Sequence, residues 1–161
     1  MNIIAIDPGY ERLGIAVIEK KDKSSKEILL HSECFKTSKD LPHEQRLFAL
    51  GKRVREIIDL YHPTHLAIED LYLNTNQKTA MLVAEAKGVV MYEASLAKIP
   101  ITHFSPPQIK LAVCGNGKAD KTAIIKMVPL LVQVEKTIVY DDEFDAIAVG
   151  LTFFAHTRIE F

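Results

Sequence analysis

The chain opens on four apolar residues in a row, Ile3-Ile4-Ala5-Ile6, and the run stops at Asp7-Pro8-Gly9. A short unbroken apolar run with three β-branched side chains predicts a strand covered on both faces. Pro8 lacks the amide that a central strand must donate and Gly9 permits a sharp exit, so Asp7 falls where the strand surfaces. Ile15-Ala16-Val17-Ile18 predicts a second strand, residues 20–26 a charged turn, and residues 27–37 a third strand. Connections this short make an antiparallel meander.

A helical period follows the Leu41-Pro42 break. Leu47, Leu50, Val54, Ile57, Ile58 and Tyr61 recur at three- and four-residue spacing, Arg46, Lys52, Arg53 and Glu56 are expected to face outward, and Pro63 stops the helix. Thr64-His65-Leu66-Ala67-Ile68-Glu69-Asp70 then repeats the opening design, an apolar strand ending in acid. A helix is predicted over residues 77–98. Its stripe Ala80, Ala84, Gly88 suits close approach of another backbone, either this domain's own sheet or a second subunit. Residues 100–104 predict a fifth strand. Ser105-Pro106-Pro107 opens a short helix that Gly115-Asn116-Gly117 ends, residues 119–131 predict another, and the last helix starts near Asp141 with Phe144, Ala148, Leu151 and Ala155 on one face. The order predicts one α/β domain over 1–161, a five-stranded mixed sheet flanked by helices. The two acidic strand ends meet only if the first strand is central and the fourth lies beside it.

Composition narrows the function classes. With 161 residues and a formal net charge of −1, the chain offers DNA no general attraction, so any such binding has to come from local cationic clusters. Cys34 and Cys114 have no metal or disulfide spacing and are expected to be buried thiols in a reducing compartment. No apolar run reaches transmembrane length and no signal peptide precedes the first strand, so the expected location is cytoplasmic, with no membrane partner.

Four acids are placed to converge: Asp7 and Glu69 at strand ends, and Asp142 with Asp145 at the start of the last helix. Residues three apart share a helical face. Carboxylates crowded together repel one another unless cations compensate, and Mg²⁺, a hard ion taking oxygen ligands, is the natural compensator. Two such ions about 3.5–4 Å apart can stabilise both the attacking and the leaving oxygen of a phosphodiester cleavage. Spacing alone leaves Asp141 open as well as Asp142, because Asp141 and Asp145 also share a face, and acids in a first helical turn serve as caps. Asp70, on the opposite face of its strand from Glu69, is the poorer ligand.

Taken together, Ile6-Asp7-Pro8-Gly9 followed by Gly14, Ala67-Ile68-Glu69, and Asp142-x-x-Asp145-Ala146-x-Ala148 resemble the RuvC-type Holliday junction resolvases. Gln108-Ile109-Lys110, Gly115-x-Gly117 and Lys121 match that pattern in order and spacing, so the likeness covers essentially the whole chain. The resemblance implies a ribonuclease-H-like fold and a homodimer that cuts two symmetric strands of a four-way DNA junction in recombination and repair. It implies Mg²⁺, two ions per site with Mn²⁺ able to substitute, and it selects Asp7, Glu69, Asp142 and Asp145 as the catalytic and metal-binding acids.

The resemblance also places Lys110 and Lys121 beside the active site, in contact with DNA and supporting catalysis. From the residues alone, Lys110, Lys118, Lys121 and Lys126 stand against Asp120 in residues 108–126, a pattern that suits phosphates or a plain solvated face. Gly115-Asn116-Gly117-Lys118 is not a Walker loop, since the four-residue gap between glycines is missing. It reads as a flexible turn, with Lys118 tracking the DNA backbone. Tyr72 matches a position, commonly Phe in the family, that stacks on an unpaired base near the crossover, a contact worth about 1–3 kcal/mol. His103 and His156 show no ligand pattern. A branch-migration helicase complex is a partner the family leaves open. The competing readings are a related nuclease acting on structured RNA and a module that binds junctions without cutting them.

Overall fold

The first apolar run forms β1 (Asn2–Asp7), the second β2 (Arg12–Glu19) and the third β3 (Glu27–Lys36). The computed structural model describes residues 1–71 and 77–157. After the meander come α1 (His43–Tyr61), β4 (His65–Glu69), α2 (Gln77–Leu96), β5 (Ile101–Phe104), α3 (Pro106–Cys114), α4 (Lys121–Leu131), β6 (Val132–Gln133) and α5 (Asp141–His156). The sheet order is β5-β4-β1-β2-β3-β6. β1 is antiparallel to β2, and β2 to β3, whereas β4 lies parallel to both β1 and β5. The sheet therefore has six strands rather than the expected five. The extra one, β6, is two residues long and pairs parallel with the start of β3, too short for any period to reveal.

Strand alternation explains why β1 is apolar throughout. Ile3 and Ala5 join Ala16, Ile18 and Ala67 under α3, α4 and α5, while Ile4 and Ile6 join Ile15, Val17, Leu66 and Ile68 under α1 and α2. α5 lies nearly flat on its side of the sheet. A Cβ on Gly150 would stand 2.6 Å from Ile18 Cδ1 and 3.1 Å from Ala5 Cβ, so the glycine is what lets the helix axis come so near β1. This close seat carries the N-terminus of α5 to the end of β1 that bears Asp7.

One expectation changes and one open alternative narrows on the α1 and α2 side. Arg46 is buried rather than outward: its guanidinium lies 4.0 Å from the centre of the Tyr10 ring and its Nε donates to Thr37 Oγ1 at 3.0 Å. It ties α1 to the Pro-Gly exit from β1. Along α2, the inward side chains are Ala86, Lys87, Val90 and Ala94, while Ala84 and Gly88 are exposed, and a Cβ on Gly88 would meet nothing within 4 Å. The small-residue stripe therefore does not pack on this chain's own sheet.

Candidate active site

β1 and β4 run in parallel register, Ile6 opposite Ile68, so Asp7 and Glu69 leave the sheet as neighbours and share a hydrogen bond. α5 brings Asp142 and Asp145 to the same place from above. Burial first, and then the charges of Glu69, Asp145 and Asp142, hold the Asp7 carboxyl well above the usual carboxylate range, against the opposing pull of Lys121. Burial and the charge of Asp145 push Glu69 up to about 7, although the hydrogen bond from Asp7 and the charges of Lys110 and Lys87 oppose the shift. Burial likewise raises Asp145, with Lys121 opposing. Three acids thus sit where their ionised forms are disfavoured.

Two cations gather around the first turn of α5. Arg12 Nη2 donates to Asp141 Oδ1 at 2.8 Å and also to Asp142 Oδ2. Lys121 Nζ bridges Asp141 Oδ2 at 2.7 Å and Asp145 Oδ2 at 2.9 Å. This geometry separates Asp141 from Asp142, which spacing could not do. The Asp142 side chain is 17% exposed and its charge acts on Asp7, whereas Asp141 is 44% exposed and the hydrogen bond from Lys121 draws it down to about 2. Asp141 is the outer anchor for both cations, and Asp142 the inner acid. Cys34, half-buried rather than buried, directs its Sγ at Asp142 Oδ2 at 3.5 Å.

Gly14 explains how these groups come so close. A Cβ there would lie 2.3 Å from the Asp142 carbonyl oxygen and 3.0 Å from Asp7 Cβ. Only hydrogen fits between the end of β1 and the first turn of α5.

An opening of about 270 Å³ lies alongside, lined by Glu69, Asp145, Lys110 and Lys121 over a floor that includes Ile109, Ile124 and Ala148. Lys110 and Lys121 therefore stand beside the acids. Lys118 is exposed on the turn beyond α3, with its amide donating to Asn116 Oδ1 at 3.0 Å and Gly115 before it in the left-handed region at φ 69°. It is not among the lining residues. Tyr72 lies outside the described residues.

Asp70 turns away, as its strand position predicts. Lys87 Nζ holds it at 3.0 Å, donates to the Glu69 carbonyl oxygen at 3.0 Å, and shares Asp70 with His103 Nδ1 at 3.0 Å. His156 Nδ1 bonds the Thr152 carbonyl oxygen within α5. Lys87 and Arg12 are neighbours of the acids that the sequence does not predict. The available signals were a single cation on the otherwise apolar inward face of α2, and a lone arginine between Gly9 and Gly14.

Among the described residues no three His, Cys, Asp or Glu side chains form a closed metal-binding set, since Asp142 is turned to Arg12 and Asp145 to Lys121. The chemistry of the donors nevertheless fits a hard divalent cation. The inner ligands offered are all carboxylate oxygens, they carry surplus negative charge, and Asp7 and Glu69 resist ionising together.

The family model described as crossover junction endodeoxyribonuclease RuvC matches residues 3–153. A protein of that description from Petrotoga mobilis is 40% identical over 156 residues, covering 97% of this chain and 93% of its own length. Another, from Brachyspira hyodysenteriae, is 36% identical over 159 residues, 99% of this chain and 97% of the relative. Among solved structures, RuvC of Thermus thermophilus in complex with a Holliday junction substrate superimposes with a TM-score of 0.87 at 32% identity, covering 94% of this chain and 92% of that one.

Proposed function

The chain belongs to the crossover junction endodeoxyribonuclease RuvC family and is a nuclease that resolves four-way DNA junctions, and we propose that Asp7, Glu69, Asp142 and Asp145 are its metal ligands, with Lys110 and Lys121 facing the scissile phosphate. The observation that carries this reading is the buried acidic cluster at the paired ends of β1 and β4, beside an opening that two lysines line. The family works with a divalent metal. We assign Mg²⁺, two ions per site with Mn²⁺ as a substitute, which when bound polarises the scissile phosphate and makes water a stronger nucleophile.

The protein's own residues prepare that chemistry. Asp7 and Glu69, which share a hydrogen bond and whose ionised forms burial disfavours, would hold that cation in their deprotonated forms. Asp142 and Asp145 would complete its ligand set, and Arg12 and Lys121, which pair with them here, would then be available to the phosphodiester. Lys110, at the rim of the opening, adds fixed positive charge where the leaving oxygen becomes an anion. The products are 5′-phosphate and 3′-hydroxyl ends. Tyr72 is assigned to stacking on an unpaired base and Lys118 to the DNA backbone.

A junction has two equivalent strands to cut, and a two-fold homodimer supplies two identical sites. The exposed stripe of Ala84 and Gly88 on α2 is its interface in this proposal, because these residues are left uncovered by their own domain. Gly88→Glu is expected to turn a dimer into a monomer in sedimentation runs, while far-ultraviolet circular dichroism stays unchanged. Wild-type behaviour from this variant would remove the assignment. A branch-migration helicase is a further partner consistent with this role, and a pull-down with the junction present tests it. The proposed location is the cytoplasm; among the described residues no helix is long and apolar enough to cross a membrane.

The deciding assay offers a synthetic four-way junction with Mg²⁺ and maps the cuts. Symmetric nicks on opposite strands are expected. Preferential cleavage of structured RNA would instead favour the RNA nuclease, and tight binding without nicks would favour the non-cutting module.

Proton competition yields a second expectation. With Glu69 at about 7, its unprotonated fraction falls from roughly 0.9 at pH 8 to 0.1 at pH 6, and only the ionised form is a ligand. Mg²⁺ affinity should therefore drop at least about tenfold over that range, with proton release on binding visible by calorimetry in buffers of different ionisation heat. A flat affinity would show that metal binding takes no proton from Glu69 over this range.

A further inference from the structure

Lys110 and Lys121 line the α3 and α4 side of the acids, and the opposite side carries, besides Arg12, a second cation. β2 begins and β3 ends at the end of the sheet where Asp7 emerges, and Arg12 pairs directly with Lys36 across the two strands. Like charges facing each other across a strand pair are unfavourable, so this pairing is not explained by stability. Arg12 is neutralised by Asp141 and Asp142. Lys36 is not: it is exposed, no ion pair engages it among the described residues, and its Nζ lies 4.0 Å from the centre of the Tyr140 ring. Tyr140 is the residue just before α5 and lies between the two cations, with the Arg12 guanidinium 5.6 Å from its ring centre. An aromatic face of this kind holds an ammonium in place without discharging it.

We infer that Lys36, seated on Tyr140, binds a backbone phosphate of the DNA on the side of the acidic cluster opposite Lys110 and Lys118. Strands about 4.8 Å apart put β3 roughly 10 Å from β1, a distance that corresponds to about three base-pair steps of 3.4 Å along a duplex axis. A strand crossing the acids would then be held on both sides of the scissile bond. A chain of net charge −1 would then grip a polyanion through local cations on both sides of the acids. The inference rests on the function proposed above.

Its test is equilibrium binding of a fluorescent four-way junction by the full chain, in EDTA so that nothing is cut, across a series of salt concentrations. Lys36→Gln should weaken binding about fivefold near 0.1 M salt and reduce the slope of log K against log salt by about 0.9, as expected for one lost phosphate contact. Lys36→Glu should weaken it further. Lys23→Glu, on the β2–β3 turn at the far end of the sheet, provides the charge control and should leave the slope unchanged. An unaltered slope in Lys36→Gln, or an equal effect from Lys23→Glu, overturns the inference while leaving the nuclease assignment intact. Absence of junction binding by the wild-type chain overturns that assignment and the inference with it.

Discussion

Asp7→Asn is expected to lower metal-dependent junction cleavage by about 10³-fold or more while junction binding in EDTA stays within a few-fold of wild type. Asparagine keeps the shape and one oxygen acceptor but removes the negative charge that a metal between β1 and β4 requires. The same substitution should raise the stability of the metal-free protein at pH 8. The carboxyl of Asp7 has its folded-state pKa raised by burial and by Glu69, Asp145 and Asp142, so the folded state binds the proton more tightly than the unfolded one. Stability from that group is present at low pH and is lost as pH rises above the ordinary carboxylate value of about 3.9 towards the raised one. Asparagine carries no such penalty, and each kcal/mol relieved raises Tm by about 2–4 °C in a chain of this size. With Mg²⁺ the order should reverse, because only wild type gains from binding. Thermal melts with and without metal check both signs, and full cleavage by Asp7→Asn would falsify the proposed ligand set.

Gly14→Ala should be nearly as damaging, for a steric rather than an electrostatic reason. The added methyl would be 2.3 Å from the Asp142 carbonyl oxygen and 3.1 Å from its carbonyl carbon, and backbone cannot rotate out of the way as a side-chain end can. Overpacking of this kind costs about 1–3 kcal/mol. The only relief is to lift the first turn of α5, which carries Asp142 and Asp145 away from Asp7 and Glu69. A displacement near 1 Å is enough to cost about 10²-fold in rate. Loss of cleavage of that size, a lower Tm and weaker Mg²⁺ binding are expected together. Gly88→Ala is the contrast: a Cβ there meets no atom of its own chain within 4 Å, so apart from the roughly 1 kcal/mol that alanine's helix propensity adds, any loss it causes must come through a partner.

Legibility followed the range of the interactions. β1, β4 and α1 were readable because burial on two faces or on one stripe leaves a period in the residues themselves, and their bounds moved by only a residue or two. β6 was not, since two residues define no period and its existence depends on where β3 happens to pass. Arg46 was misplaced outward because charge is a guide to exposure only on average. Here the flat guanidinium finds a ring to lie on and a hydroxyl to bond. The acids were identifiable as candidates from their places at strand ends and in a first helical turn, and family likeness selected among them. Arg12 and Lys87 were passed over, because a cation's significance here lies in the remote acids it touches.

What this sequence determined by itself was the set of elements and the chemical kinds available: apolar strands that must be buried, two of them stopped by acid, and a final helix that begins with more. It also set the family, through an ordered series of short motifs. How the acids come to meet was decided by tertiary structure. β4 could pair with β1 or with another edge, and Asp141 and Asp142 are equivalent in any local pattern. The choice came from the parallel register of Ile6 with Ile68, from Gly14 and Gly150 letting α5 approach the sheet, and from Arg12 and Lys121 drawing Asp141 outward. Local periodicity encodes which face of an element is buried, but convergence of charges depends on contacts between different elements, and those exist only once the chain has folded.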